Sequence, residues 1–239
     1  MRKPIKLGVF KFKHFTVFQN KHSLPVGTDA MLLGALAHAI EPKVILDAGA
    51  GCGVLGMMMA QKYPMANVEC IELDPNATKE CEFNISHSPF HNRIEVKQGD
   101  FLAMPLQAYD LIISNPPYYF SNNTSSDQNA LQKHASEGQF IAWIQRAKEI
   151  LNPTGHFWII YPSSIASFVL KNTQLIGLNE CQQIKIENQH GVCNRIISCY
   201  QHSPKISIQT KLQIRNLDGS YTEEYKVLTK EFHTKAPIR

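Results

Sequence analysis

The stretch VILDAGAGCGVLG, residues 44–56, begins as a run of aliphatic residues and passes through Gly49, Gly51 and Gly53 directly into an apolar segment that reaches Lys62. An unbroken aliphatic run suits a strand covered on both faces. Closely spaced glycines supply the positive φ angles that a tight strand-to-helix turn requires, and they let a ligand approach the main chain. Gly51-Cys52-Gly53-Val54-Leu55-Gly56 also satisfies G-x-G-x-x-G, the turn that sets main-chain amides against a dinucleotide. Glu72 closes the next apolar run, VECIEL (68–73), where a carboxylate accepts both hydroxyls of a ribose. The pair of features points to an adenosine-containing ligand without choosing among them.

Outward from this turn the chain alternates. Strands are expected at 44–48, 68–73, 93–98, 109–114 and 156–161, with helices to about Lys62, from Pro75 to about Ser86, from about Gln139 to Leu151 and near 163–171. Two further β runs after residue 175 meet at His190-Gly191 and read as a closing antiparallel hairpin. The fold class is therefore α/β: a seven-stranded, mostly parallel sheet with helices on both faces and a C-terminal hairpin. Upstream, KFKHFTVFQ reads as an extended or hairpin-like piece, with Phe12, Phe15 and Phe18 assigned to the core. Thr28 stands as the N-cap of an apolar helix running to about Ile40, where Glu41-Pro42 stops it. The polar run SNNTSSDQNALQK (121–133) reads as a long loop, a lid or mobile substrate loop.

The 239 residues are 44% apolar and 18% charged, with 13 Gly and 13 Pro, which excludes collagen-like, low-complexity and largely disordered chains. No run approaches the roughly 18 consecutive apolar residues of a membrane span, and the N-terminus lacks a secretory signal pattern. Six cysteines occur with no C-x-x-C pair, so neither a disulfide scaffold nor a metal site is expected, and the protein is read as cytoplasmic. Charge is segregated: residues 1–28 carry six Lys or Arg and no acid, 29–202 carry 11 against 16 acids, and 203–239 carry seven against four. Basic ends around an acidic middle suit a polyanionic partner, or simply solvated ends. One domain is expected over 1–239, with a basic N-terminal extension and helix (1–40), a catalytic core (41–202) and a basic C-terminal extension (203–239).

Two more clusters narrow the chemistry. Gly99-Asp100-Phe101 follows the third strand, where Asp100 can accept from an adenine amino group or cap the next turn, and Phe101 can cover the ring. With Asp47 placed toward an aminoacyl group, the acids favour S-adenosylmethionine. Asn115-Pro116-Pro117-Tyr118 then follows LIIS at the carboxyl end of the fourth strand, and its two prolines stiffen the loop.

This combination resembles the Rossmann-like class I methyltransferases that act on exocyclic or amide nitrogens. The resemblance implies that Asn115 and the carbonyl of Pro116 accept the two protons of an NH2 group while Tyr118 stacks on the substrate. Orientation then carries the catalysis, because the sulfonium donor is already activated. FKFKHFTVFQN…LPVGTDAMLLGALA, ILDAGAGCGVLGMMMAQ, NPPYY, Lys133-His134 and YTEEYKVLTKEF together resemble the bacterial tRNA1(Val) (adenine-37-N6)-methyltransferase family over nearly the whole chain. Membership implies S-adenosylmethionine held by Thr28, Asp29, Asp47, Gly49, Gly51, Glu72, Asp100 and Phe101. It implies contacts to the RNA from Pro117, Tyr119, Lys11, Lys13 and His134, with no metal. Lys133 stands where the family has Arg. The expected partner is a tRNA anticodon stem-loop, met by a monomer without a membrane or an obligate protein partner. Protein glutamine N5-methylation, DNA adenine N6-methylation, NAD-dependent oxidoreduction and non-catalytic RNA binding are the alternatives.

Overall fold

The computed structural model describes residues 8–19, 25–116 and 127–234, and for residues 127–136 the backbone alone. In chain order the strands are β1 (Gly8–Lys11), β2 (Thr16–Gln19), β3 (Val44–Ala48), β4 (Asn67–Glu72), β5 (Ile94–Gln98), β6 (Tyr109–Ser114), β7 (Leu151–Pro162), β8 (Asn179–Glu187), β9 (Cys193–Gln201) and β10 (Ile208–Gln213). The helices are α1 (Thr28–Leu36), α2 (Val54–Lys62), α3 (Pro75–Ser86), α4 (Asp127–Glu149), α5 (Ala166–Leu175) and α6 (Glu223–Thr229).

β1 and β2 form a separate antiparallel hairpin, and the other eight strands form one sheet in the order β10-β8-β9-β7-β6-β3-β4-β5. β9 is antiparallel to both of its neighbours, and every other pairing is parallel. Alternate residues feed two cores: Ile45, Leu111 and Ile113 pack on the side of α1, α2 and α3, whereas Leu46, Ile112 and Phe157 pack on the side of α4 and α5. Period-two alternation over uniformly apolar strands is what a sheet covered on both faces requires.

Local chemistry sets several boundaries. Asp74 caps α3 by accepting from Asn76 N (2.9 Å) and Ala77 N (2.8 Å), with Pro75 in the first turn. Thr222 caps α6 through Tyr225 N (3.2 Å).

Four expectations are corrected. The sheet has eight strands, because β10, which lies beyond the hairpin, adds in parallel to β8. Gly27, with φ −116°, occupies the cap position of α1, and Thr28 is its first residue. That helix stops at Leu36 rather than Ile40, because the groups beyond it are taken by other elements: Lys62 Nζ donates to Ala37 O (2.5 Å), Trp158 Nε1 to His38 O (2.9 Å), and Ala39 N donates to Tyr63 Oη (2.9 Å). Finally, α4 begins at Asp127, twelve residues before the expected Gln139 and inside the stretch read as loop. Residues 121–126 of that stretch lie outside the described residues.

Candidate active site

Strand register brings the motif residues to one edge. β3 pairs with β6 at Asp47↔Ile113 and with β4 at Ala48↔Ile71, so Gly49 comes level with Glu72 and with Asn115, each just past the end of its strand. β4 pairs with β5 at Glu72↔Gln98, and Asp100 follows two residues later. All lie at the carboxyl edge of parallel strands, where open α/β sheets place their ligands.

The glycine loop is a hydrogen-bonded unit. Gly49, Gly51 and Gly53 have φ of 76°, 55° and 81°, the left-handed region that disfavours a side chain. Gly49 N and Ala50 N both donate to Ile71 O at 2.9 Å. Glu72 spans the loop, its Oε2 accepting from Gly51 N (2.8 Å) and its Oε1 from Asp74 N (2.9 Å). Asp47 is fully buried: Oδ2 accepts from Gly56 N (2.8 Å), and Oδ1 has no partner among the described residues. Burial, opposed by the Gly56 hydrogen bond and reinforced by the charge of Glu72, pushes this carboxyl up to about 7.

A hydrogen-bonded chain fastens the loop to the strand that carries Asn115. Trp143 Nε1 donates to Ser114 Oγ (3.1 Å), and Ser114 Oγ donates to Ala48 O (2.7 Å). The indole also stands 3.4 Å from where a Cβ on Gly49 would lie. Neither Trp143 nor Ser114 was singled out from sequence. Ser114 directly precedes the Asn-Pro-Pro-Tyr motif and was open to notice; nothing local marks Trp143.

Beside this edge lies a cleft of about 900 Å3 lined by Thr28, Asp29, Asn115 and Pro116 together with Glu187, Arg195, Arg215 and Tyr221. Of the expected residues, the structure thus gathers Thr28 and Asp29 with Asn115 and Pro116, and Asp47, Gly49, Gly51 and Glu72 at the adjoining loop. Asp29 is held by an ion pair with Arg195 Nε (2.9 Å).

Others stand differently from expectation. Phe101, expected over an adenine ring, is 2% exposed, with its ring 4.5 Å from that of Trp143 and packed in the α4-side core. The aromatic ring is drawn into the core because apolar partners are available there. Asp100 is exposed and accepts from Leu102 N (2.9 Å), capping the turn that follows. Lys13 is paired with Glu231 (2.9 Å), so its charge is partly spent inside the protein. Lys11 is exposed at the end of β1. Pro117, Tyr118 and Tyr119 lie outside the described residues, as does the side chain of His134.

The six cysteines are free thiols. Where no metal cluster was read, three strands bring the ligand atoms of His156, Cys181 and Cys199 within 4.8 Å of one another. Spacing of 18 and 25 residues hides such a trio from the sequence. Lys205 acts electrostatically on all three groups, so a divalent ion there would meet an existing positive charge.

Residues 12–193 match the model of the methyltransferase small domain. The tRNA1(Val) (adenine(37)-N6)-methyltransferase of Haemophilus influenzae is 32% identical over 231 residues, covering 95% of this chain and 98% of the relative. The protein of the same name from Pedobacter heparinus is 33% identical over 232 residues, covering 94% and 97%.

The chain belongs to the tRNA1(Val) (adenine(37)-N6)-methyltransferase family.

It is a methyltransferase. The fold is shared more widely: a protein described as a predicted O-methyltransferase from Agrobacterium tumefaciens superposes with a TM-score of 0.67 at 21% identity, covering 87% of this chain and 98% of the other. Among the described residues no helix is long and apolar enough to cross a membrane.

Proposed function

We propose that this enzyme transfers a methyl group from S-adenosylmethionine to N6 of adenosine 37 in tRNA1(Val). The observation that carries the reading is the register of β3 against β6, which sets Gly49 level with Asn115, and Asn115 and Pro116 line one cleft. The residues present suit the donor. Gly49 and Gly51 open the main chain to it, the Glu72 carboxylate suits the ribose hydroxyls, and the unpartnered Oδ1 of Asp47 suits an ammonium group. Asp100 is exposed at the same edge to accept from an adenine amino group. Thr28 and Asp29 contribute the wall nearest the methionine end. When bound, the donor supplies an electrophilic methyl on a sulfonium, with a neutral thioether as leaving group.

The chain's own residues orient and enclose. The side-chain oxygen of Asn115 and the carbonyl of Pro116 accept the two N–H groups of the target amine, which directs the nitrogen lone pair away from both acceptors. Ser114, fully buried and bonded on both sides, keeps that loop at a fixed distance from the glycine turn. Tyr118 is assigned the stacking role and Pro117, Tyr119 and His134 the surrounding contacts, on the resemblance stated above. An unpaired anticodon base is cheaper to extract than a paired one, which favours a single-stranded RNA loop as substrate. Lys11 and Lys13 are assigned to stem phosphates. The enzyme is read as a cytoplasmic monomer comprising one domain.

The test is incubation with labelled S-adenosylmethionine and total tRNA from a strain lacking its own enzyme, followed by nucleoside mass spectrometry. New N6-methyladenosine confined to one tRNA is expected; methyl transfer to DNA or to a protein glutamine instead would overturn the substrate assignment. Asn115→Ala is expected to lower kcat by about a hundredfold while leaving S-adenosylmethionine affinity in place. Lost donor affinity with normal turnover at saturation would refute the role given to Asn115.

A further inference from the structure

Part of the cleft's lining comes from the C-terminal quarter of the chain, and its charges are unequally employed. Arg195 is paired with Asp29 at 2.9 Å, and Glu187 with Lys211 at 3.4 Å. Arg215 has no carboxylate partner among the described residues, and its guanidinium is fixed by its surroundings. Nη1 donates to Gly219 O (2.6 Å), and Cζ sits 4.1 Å from the centroid of the Tyr221 ring. Tyr221 is in turn stacked on Tyr225, with centroids 4.5 Å apart and planes inclined by 13°. Tyr225 is buried in the core. Both groups stand against the one Tyr221 ring, which links Arg215 to the protein interior through Tyr225.

The turn that carries the stack is equally fixed. Arg215 bridges Tyr221 across it, Asn216 N donates to Ser220 O (2.8 Å), Gly219 N donates to Asn216 O (3.0 Å), and Asp218 Oδ1 accepts from both Ser220 N and Ser220 Oγ. A guanidinium normally loses side-chain freedom when it binds a ligand; here that freedom is already gone.

We infer that Arg215, backed by Tyr221, is a stacking platform for the base of a nucleotide next to the target adenosine in the single-stranded loop of the substrate RNA. This rests on the RNA reading above and adds to it a second base-binding subsite. A planar, delocalised cation stacks on nucleobases without regard to their identity. The carboxylates of Asp29 and Glu187 in the same cleft are each taken up by an ion pair, and a neutral base is acceptable beside them. The cleft's volume, near the upper end of those found for ligand sites, leaves room beside the target base for its neighbour.

The experiment uses the full-length enzyme and a synthetic anticodon stem-loop RNA, with two further RNAs in which one or the other nucleotide flanking the target adenosine is abasic. Wild type, Arg215→Ala and Arg215→Lys are compared by steady-state kinetics, with circular dichroism and donor titration as checks on folding. On the parent RNA both variants are expected to raise KM about tenfold, the loss of one base–side-chain stack, with the effect falling on KM rather than kcat. On one of the two abasic RNAs the wild type should lose that factor itself, and the variants should lose nothing more. If Arg215→Lys keeps the wild-type KM, the contact is a charge on a phosphate and the proposal fails. It fails equally if the penalty of Arg215→Ala persists undiminished on both abasic RNAs, or if neither variant differs from wild type. A wild-type enzyme that methylates protein and no RNA would refute the underlying functional reading, and this inference with it.

Discussion

Replacing Asp47 by Asn should remove a pH dependence that is built into the protein. Its carboxyl is fully buried, is held up to about 7 against an ordinary 3.8, and keeps one oxygen without a partner. Between those two values the folded protein holds a proton that the unfolded chain has released. Stability therefore falls as pH rises through that window and levels off above about 7. At about 1.4 kcal/mol per pH unit, ionised Asp47 costs on the order of 4 kcal/mol of folding free energy. An Asn carries no charge and retains an oxygen to accept from Gly56 N. Urea unfolding of both proteins from about pH 4 to about pH 8 should thus show the stability of Asp47→Asn gaining on wild type by on the order of 4 kcal/mol. Subtracting the two curves removes the titrations of His156 and His233, both lowered by burial and common to both proteins. Any constant cost of the amide shifts the whole difference without tilting it. A difference that stays flat across the range would refute the reasoning. The same titration should appear in ligand binding: if the ammonium of S-adenosylhomocysteine meets only the ionised form, wild-type affinity rises about tenfold from pH 6 to pH 8, and that of Asp47→Asn does not.

Two further substitutions probe the connections around the site. Ser114→Ala leaves the Trp143 N–H and the Ala48 carbonyl without their buried partner, and is expected to cost about 1–3 kcal/mol in chemical denaturation and to slow methyl transfer. An unchanged midpoint would mean the chain is not maintained in solution. Asn84, fully buried, accepts from Phe18 N (2.8 Å) and donates to Phe18 O (3.0 Å) and Cys52 O (2.9 Å), tying the N-terminal hairpin to the glycine loop. Asn84→Ala should destabilise by about 3 kcal/mol and selectively speed hydrogen exchange at the Phe18 amide, whereas uniform acceleration across the sheet would show that the hairpin has no separate tether.

Neighbouring residues explain which parts of the site were legible. The glycine turn and the Asn-Pro-Pro motif are each specified within a few residues, because φ restriction acts locally. α4 escaped because residues 127–138 are polar almost all round and carry no apolar stripe, the signal by which a helix is read; the stripe begins near Phe140. The C-terminal limit of α1 escaped because Lys62, Tyr63 and Trp158 take the groups beyond Leu36.

Sequence alone was sufficient for the α/β alternation and for the placement of the motifs at the carboxyl edge, since these follow from periodicity and from short motifs, and the resemblance of several long stretches pointed to the family. Folding was needed to bury Phe101, to pair Lys13 with Glu231, to join Trp143 through Ser114 to Ala48, and to set Asp29 against Arg195, 166 residues further along the chain. It also brought Arg215 and Tyr221 from the C-terminal segment to the cleft that Asn115 lines. These contacts depend on which strands become neighbours. That choice is made by the burial of apolar faces over the entire sheet, and no stretch of a dozen residues contains it.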